Sequence, residues 1–126
     1  MSLLDKKILI VENEEDLSEA LSAVLTQEGF EVFVAEDGEK GLHDALHHKP
    51  DMIILDLMLP KMDGLTVLKN LREDTWGCDV PIIVMTAFDD PEKVVKVARY
   101  GVSDYIVKTN ITLAKVVEKV RLRLEL

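Results

Sequence analysis

The chain has 126 residues, 48% hydrophobic and 31% charged, the balance of one globular domain with enough apolar side chains for a core rather than of a disordered chain. Its 15 Lys and Arg residues against 24 Asp and Glu give a net charge of −9, a field that repels nucleic-acid phosphates and anionic lipid. No apolar run is long enough to cross a bilayer, no signal-peptide pattern is present, and the lone Cys78 cannot form an internal disulfide, so we expect a cytoplasmic protein that grips neither membrane nor nucleic acid directly.

Residues 1–5 read as an N-terminal extension, with Met1-Ser2-Leu3 set aside as an expression remnant, and 6–126 as the domain. The first β-branched run, Lys7–Val11, reads as a strand. Leu17, Ala20, Leu21, Val24 and Leu25 then recur at helical spacing up to a stop at Gly29. A second strand is expected at Glu31–Ala35. A helix near Glu39–His48 follows, burying Leu42, Ala45 and Leu46 and stopping before Pro50. Met52–Leu55 is the third strand, and the third helix, near Gly64–Asp74, buries Leu65, Leu68 and Leu71. Val80–Met85 is the fourth strand. The fourth helix begins after Pro91, buries Val94, Val97 and Ala98, and ends at Gly101. Asp104–Val107 is the fifth strand, and the last helix, from Thr112, uses Leu113, Val116, Val117, Val120 and Leu124. Strands three and four are apolar at successive positions, as when helices cover both faces of a sheet. The alternation therefore predicts an α/β fold, a doubly wound (βα)5 parallel sheet.

Polar residues cluster at the carboxyl ends of these strands, the edge where open α/β sheets build their sites. Glu12 and Asn13 follow strand one, Asp56 strand three, Thr86 strand four and Lys108 strand five. Carboxylates with an amide oxygen suit a hard cation such as Mg²⁺. A lysine and a hydroxyl facing the same cleft suit phosphoryl oxygens, with Asp56 as the nucleophile. The same residues would also serve as a solvated rim with a lysine–aspartate ion pair, and spacing does not choose between the two.

Four segments carry a resemblance: residues 8–16 (ILIVENEED), 56–64 (DLMLPKMDG), 80–87 (VPIIVMTA) and 101–108 (GVSDYIVK). Together they resemble the receiver domain of two-component response regulators, over nearly the whole chain. The resemblance implies a flavodoxin-like fold with sheet order 2-1-3-4-5, and a switch rather than an enzyme. It implies Mg²⁺ as cofactor, and a sensor histidine kinase or phosphotransfer protein as the phosphohistidine donor. It makes Asp56 the phosphoacceptor, Lys108 the phosphoryl-binding lysine, Thr86 the switch hydroxyl and Tyr105 the aromatic that follows it. Glu12, Asn13, Asp56 and the backbone carbonyl of Met58 become the metal ligands, while Pro60 and Gly64 shape the loop into the third helix. Output is expected through the fourth helix, fifth strand and fifth helix, where Val95, Leu122 and Leu126 lie off the buried stripes and a homodimer could form.

Two positions depart from the family pattern. Asn13 stands where the family usually has a metal-binding aspartate, so weak Mg²⁺ binding is expected. Thr109 stands where a proline commonly follows the lysine. A trans Lys108–Thr109 bond is therefore expected, because a non-proline cis bond costs about 2.5–4 kcal/mol. Thr109, Asn110 and Thr112 supply N-cap chemistry for the last helix instead. Met58 and Phe88, two positions beyond Asp56 and Thr86, are apolar and cannot orient a hydrolytic water, so a long-lived aspartyl phosphate is expected.

Asn13 also motivates an alternative, a receiver-like interaction module that does not use phosphate. A third reading, an Mg²⁺-dependent phosphohydrolase with an aspartyl nucleophile, lacks the second aspartate that class needs, since Met58 stands there. A flavin site fails because Glu12-Asn13-Glu14-Glu15 would repel a phosphate. His43 and His47 share a helix face without a carboxylate foreseen beside them, so no metal is assigned there. Trp76 is expected to pack on the third helix.

Overall fold

The computed structural model describes residues 5–87 and 90–126, with the backbone alone at residue 110. Five strands, β1 (Lys7–Val11), β2 (Glu31–Ala35), β3 (Met52–Asp56), β4 (Ile82–Thr86) and β5 (Asp104–Val107), form one parallel sheet in the order β2-β1-β3-β4-β5. Between and after them run α1 (Glu15–Gln27), α2 (Gly38–His48), α3 (Gly64–Arg72), α4 (Pro91–Ala98) and α5 (Leu113–Arg123). The expected doubly wound fold is present.

Side chains alternate across each strand and feed two cores. Leu9, Val11, Ile53, Leu55, Ile82 and Val84 pack under α2, α3 and α4, with Ala45, Val67, Leu68, Leu71 and Val97. Ile8, Ile10, Met52, Ile54, Ile83 and Met85 pack under α1 and α5, with Leu21, Leu25, Val116 and Val120. Every residue of β3 and β4 is buried, which is why those two read as unbroken apolar runs.

Several boundaries differ from the sequence expectation for local reasons. β4 begins at Ile82 rather than Val80, because Pro81 has no N–H to give the ladder; pairing opens with its carbonyl, which accepts from the Ile53 amide at 3.0 Å. α3 stops at Arg72, since the Asp74 carboxylate accepts from the Trp76 and Gly77 amides, both at 2.9 Å, and closes a turn. Leu46, Ala98 and Leu113, expected inside, are exposed. Leu46 instead borders a surface hollow with Trp76, which packs against the core beside α3 as expected.

Candidate functional site

The register sets the site. β1 and β3 run side by side with Val11 opposite Leu55, so Glu12 leaves the sheet next to Asp56. β3 continues into β4 with Asp56 opposite Met85, and β4 into β5 with Thr86 opposite Val107. Asp56 and Thr86 are thus the last residues of their strands, not loop residues beyond them. Glu12 and Asp56 are each 3% exposed and Thr86 is fully buried.

Lys108 opens a short 3-10 turn after β5 and reaches back across the sheet edge. Its Nζ lies 2.9 Å from Glu12 Oε1, 3.0 Å from Asp56 Oδ2 and 3.7 Å from Glu14 Oε1. The other Asp56 oxygen, Oδ1, accepts from the Met58 amide at 3.1 Å, and Glu12 Oε2 from the Glu14 amide at 2.9 Å. Burial holds the Glu12 carboxyl above its ordinary value, aided by the neighbouring Asp56 charge and only partly offset by the Glu14 amide and Lys108. For Lys108 burial acts downward, but hydrogen bonds to Glu12 and Asp56 and the charges of both outweigh it and hold the ammonium above its ordinary value.

Glycine brings the acceptor loop close. The Gly64 amide donates to the Leu57 carbonyl at 2.9 Å, and a Cβ at position 64 would overlap the Asp56 carbonyl oxygen and the Leu57 Cα. Asp63 then caps α3 through the Thr66 amide at 2.9 Å. On the other side, the Lys108–Thr109 bond is trans and the Thr112 hydroxyl accepts from the Lys115 amide at 3.2 Å, capping α5 as expected.

The structure therefore brings Glu12, Asp56, Lys108 and the Met58 backbone together, with Thr86 on the adjoining strand. Asn13 is at the solvent rim, where it lines a 560 Å³ cleft with Glu12, Glu15, Glu19 and Glu36. The Met58 side chain is 52% exposed beside the acceptor. Tyr105 is half-buried on β5 and packs on the core under α2–α4. Phe88 lies outside the described residues.

Two buried carboxylates share one ammonium, leaving an excess negative charge that a hard divalent cation would relieve with its oxygen preference. The donor set thus fits Mg²⁺, for which Glu12 and Asp56 would supply carboxylate oxygens, with the Asn13 amide and the Met58 carbonyl as the neutral oxygens nearest in sequence. Among the described residues no cluster of three or more His, Cys, Asp or Glu side chains is placed to hold a metal ion by itself. His43 and His47 stack at 6.0 Å, and His43 Nδ1 lies 3.3 Å from Asp44 Oδ1, a carboxylate the helix-face pattern had not placed there.

Sequence reasoning missed Glu14 as a third carboxylate facing Lys108. In the sequence an acidic residue at the start of α1 signals only a charge that suits a helix N-terminus, but Glu14 caps α1 with no side-chain hydrogen bond, which leaves its carboxylate to turn toward the ammonium.

The family model described as the response regulator receiver domain matches residues 8–121. The alkaline phosphatase synthesis transcriptional regulatory protein PhoP of Bacillus subtilis is 41% identical over 105 residues, which is 83% of this chain and 43% of PhoP. The response regulator ArlR of Staphylococcus aureus is 44% identical over 102 residues, 81% of this chain and 45% of ArlR. The chain thus spans less than half the length of these curated relatives. Among solved structures, the BeF3-activated N-terminal receiver domain of Klebsiella pneumoniae RstA superposes with a TM-score of 0.85 at 30% identity, covering 96% of this chain and 100% of that one. CheY in the CheX-CheY-BeF3-Mg complex of Borrelia burgdorferi gives 0.85 at 30% identity, covering 94% and 89%.

Proposed function

Since the chain belongs to the response regulator receiver-domain family, we propose that Asp56 takes a phosphoryl group from the phosphohistidine of a sensor histidine kinase or phosphotransfer protein. Receiver domains of this family are signalling modules of two-component systems rather than enzymes in the ordinary sense, and they generally bind Mg²⁺ at the phosphorylation site. We assign residues 6–126 to the receiver domain and 1–5 to an extension.

One observation carries the proposal: a single ammonium, Lys108, lies within 3.0 Å of the buried Asp56 carboxylate and 2.9 Å of Glu12. In the transfer, a carboxylate oxygen of Asp56 attacks phosphorus, the new O–P bond forms as the N–P bond of the donor breaks, and the donor imidazole leaves. Lys108 meets the charge on the phosphoryl oxygens, and the Met58 amide keeps the carboxylate oriented. Glu12, Asp56, Asn13 and the Met58 carbonyl would hold Mg²⁺, which when bound would supply further neutralisation of that charge. Asn13 brings no negative charge, so this binding is weak.

Thr86 acts as the switch hydroxyl and Tyr105 follows it, which alters the face formed by α4, β5 and α5. Val95, 54% exposed, and Leu122, 74% exposed, offer that face apolar anchors, with Leu126 at the chain end, and a second copy of the chain binds there on phosphorylation. Met58 and Phe88 keep hydrolytic water unoriented, so the aspartyl phosphate is long-lived. The phosphate-independent module is not favoured, because the chain's relatives are response regulators and it keeps Glu12, Asp56 and Lys108 together at the sheet edge.

Acetyl phosphate with Mg²⁺ should add the mass of one phosphoryl group to the intact protein, and none to Asp56→Asn. An unmodified wild-type mass at saturating Mg²⁺ would reject the proposal. Sedimentation with and without beryllofluoride tests the dimer, and an unchanged mass counts against it.

A further inference from the structure

The contacts that fix Asp56 do not end at α3. Beyond Asp56 the chain passes Pro60, Lys61 and Met62, where the Met62 amide donates back to the Pro60 carbonyl at 2.8 Å and Lys61 between them has φ 69°. A three-residue reversal centred on a left-handed residue that carries a Cβ persists only where its surroundings hold it. Those surroundings are the first residues of α2. The Gly38 amide donates to the same Pro60 carbonyl at 3.2 Å, and a Cβ at position 38 would overlap the Met62 carbonyl oxygen. Asp37, 7% exposed, caps α2 by accepting from the Lys40 amide at 2.7 Å. Its other oxygen lies 3.7 Å from the Lys61 ammonium. On the far side, Gly64 presses the same loop against the Asp56 and Leu57 backbone.

We infer that Asp37 and Gly38 are positioning residues for the phosphoacceptor loop. The N-terminus of α2 pins the Pro60–Met62 turn, and through it the Asp56–Met58 segment. The inference rests on the reading of Asp56 given above. Neither residue touches the reacting atoms. A helix that contributes no side chain to the site thereby sets the site's geometry, because the loop is held from both ends by glycines that admit no Cβ.

Gly38→Ala should displace the turn and shift the Met58 amide resonance, whose hydrogen bond to Asp56 Oδ1 reports the segment directly. It should also weaken Mg²⁺ binding about tenfold, the lower end of what losing an outer contact of a metal site does. Asp37→Ala should act in the same direction to a lesser degree, and Asp37→Asn, which keeps a capping oxygen, should restore most of the loss. The Asp37 pair decides the matter if Gly38→Ala does not fold. A purely structural role would lower the melting temperature while leaving the Met58 resonance and Mg²⁺ affinity in place, and that outcome overturns the inference. If the wild-type chain takes neither Mg²⁺ nor a phosphoryl group, the functional reading fails. The Met58 shift in the metal-free protein then still decides whether residues 37 and 38 position the segment.

Discussion

Helices α3 and α4 lie on the same face of the sheet and flank the same site, yet they are held very differently. α3 buries Gly64, Val67, Leu68 and Leu71, whereas α4 buries Val97 alone. Arg72, at the end of α3, adds donations from Nε to the Tyr100 carbonyl at 2.6 Å and from Nη1 to the Gly77 carbonyl at 2.6 Å. Burial holds the Arg72 guanidinium below its ordinary value, but not near neutrality. A helix anchored by one buried side chain, Val97, opens at lower free energy than one anchored by three, Val67, Leu68 and Leu71. In the proposed switch the phosphoacceptor chemistry sits beside the more firmly packed helix, and α4 is the element that a local charge change would displace more readily.

The largest expected effect removes the input to that contrast. Asp56→Asn should abolish phosphoryl uptake completely and leave the α4 amide resonances unmoved by acetyl phosphate; any residual modification would place the acceptor elsewhere. Next, the anchoring itself can be weighed. Leu68→Ala in α3 should cost about 3 kcal/mol in urea unfolding, while Val95→Ala on the outer side of α4 should stay within about 0.5 kcal/mol. Equal costs would break the comparison.

A third test sharpens the site. Asn13→Asp restores a carboxylate at the rim and should raise Mg²⁺ affinity about tenfold or more, while adding repulsion to the metal-free cluster. It is best followed by amide resonances, since Trp76 lies after α3, beside Leu46 and Lys49, away from the acceptor. An unchanged affinity would mean that Asn13 does not face the metal.

The fourth concerns pH. Glu12 is held above its ordinary value near 4.5, so its ionisation opposes folding. That cost is absent at lower pH, sets in as pH rises past the unfolded value, and is complete above the folded one. Glu12→Gln should therefore gain stability relative to wild type as pH rises through this range. Lys108, held above 10.5, stabilises fully below that value and loses its contribution as pH climbs through the raised one. Lys108→Met should lack that alkaline loss, and parallel pH profiles for variants and wild type would contradict both signs. The smallest effect is kinetic: Met58→Asn should shorten the aspartyl-phosphate lifetime a few-fold, and unchanged decay would remove Met58 from the path of the water.

Much of this is legible in the amino-acid sequence. The five strands were readable because β3 and β4, buried on both faces, must be apolar at every position, and a parallel sheet then directs every strand's carboxyl end to one edge. That alone gathered Glu12, Asp56, Thr86 and Lys108. The roles of Tyr105 and the Met58 carbonyl rested on the family resemblance, not on periodicity.

What the linear pattern determined is which residues reach the edge, since strand direction and hydrophobic period are local properties of the chain. Only the tertiary structure decided who meets whom there. Lys108 selects Glu12 and Asp56 across 96 and 52 residues of chain, and Glu14, itself exposed, points toward the ammonium while Asn13 lines the outer cleft. The fit of Gly38 against Met62 was equally invisible, because a glycine in sequence signals only permission, and what needs its missing Cβ is set by a neighbour brought in from another element.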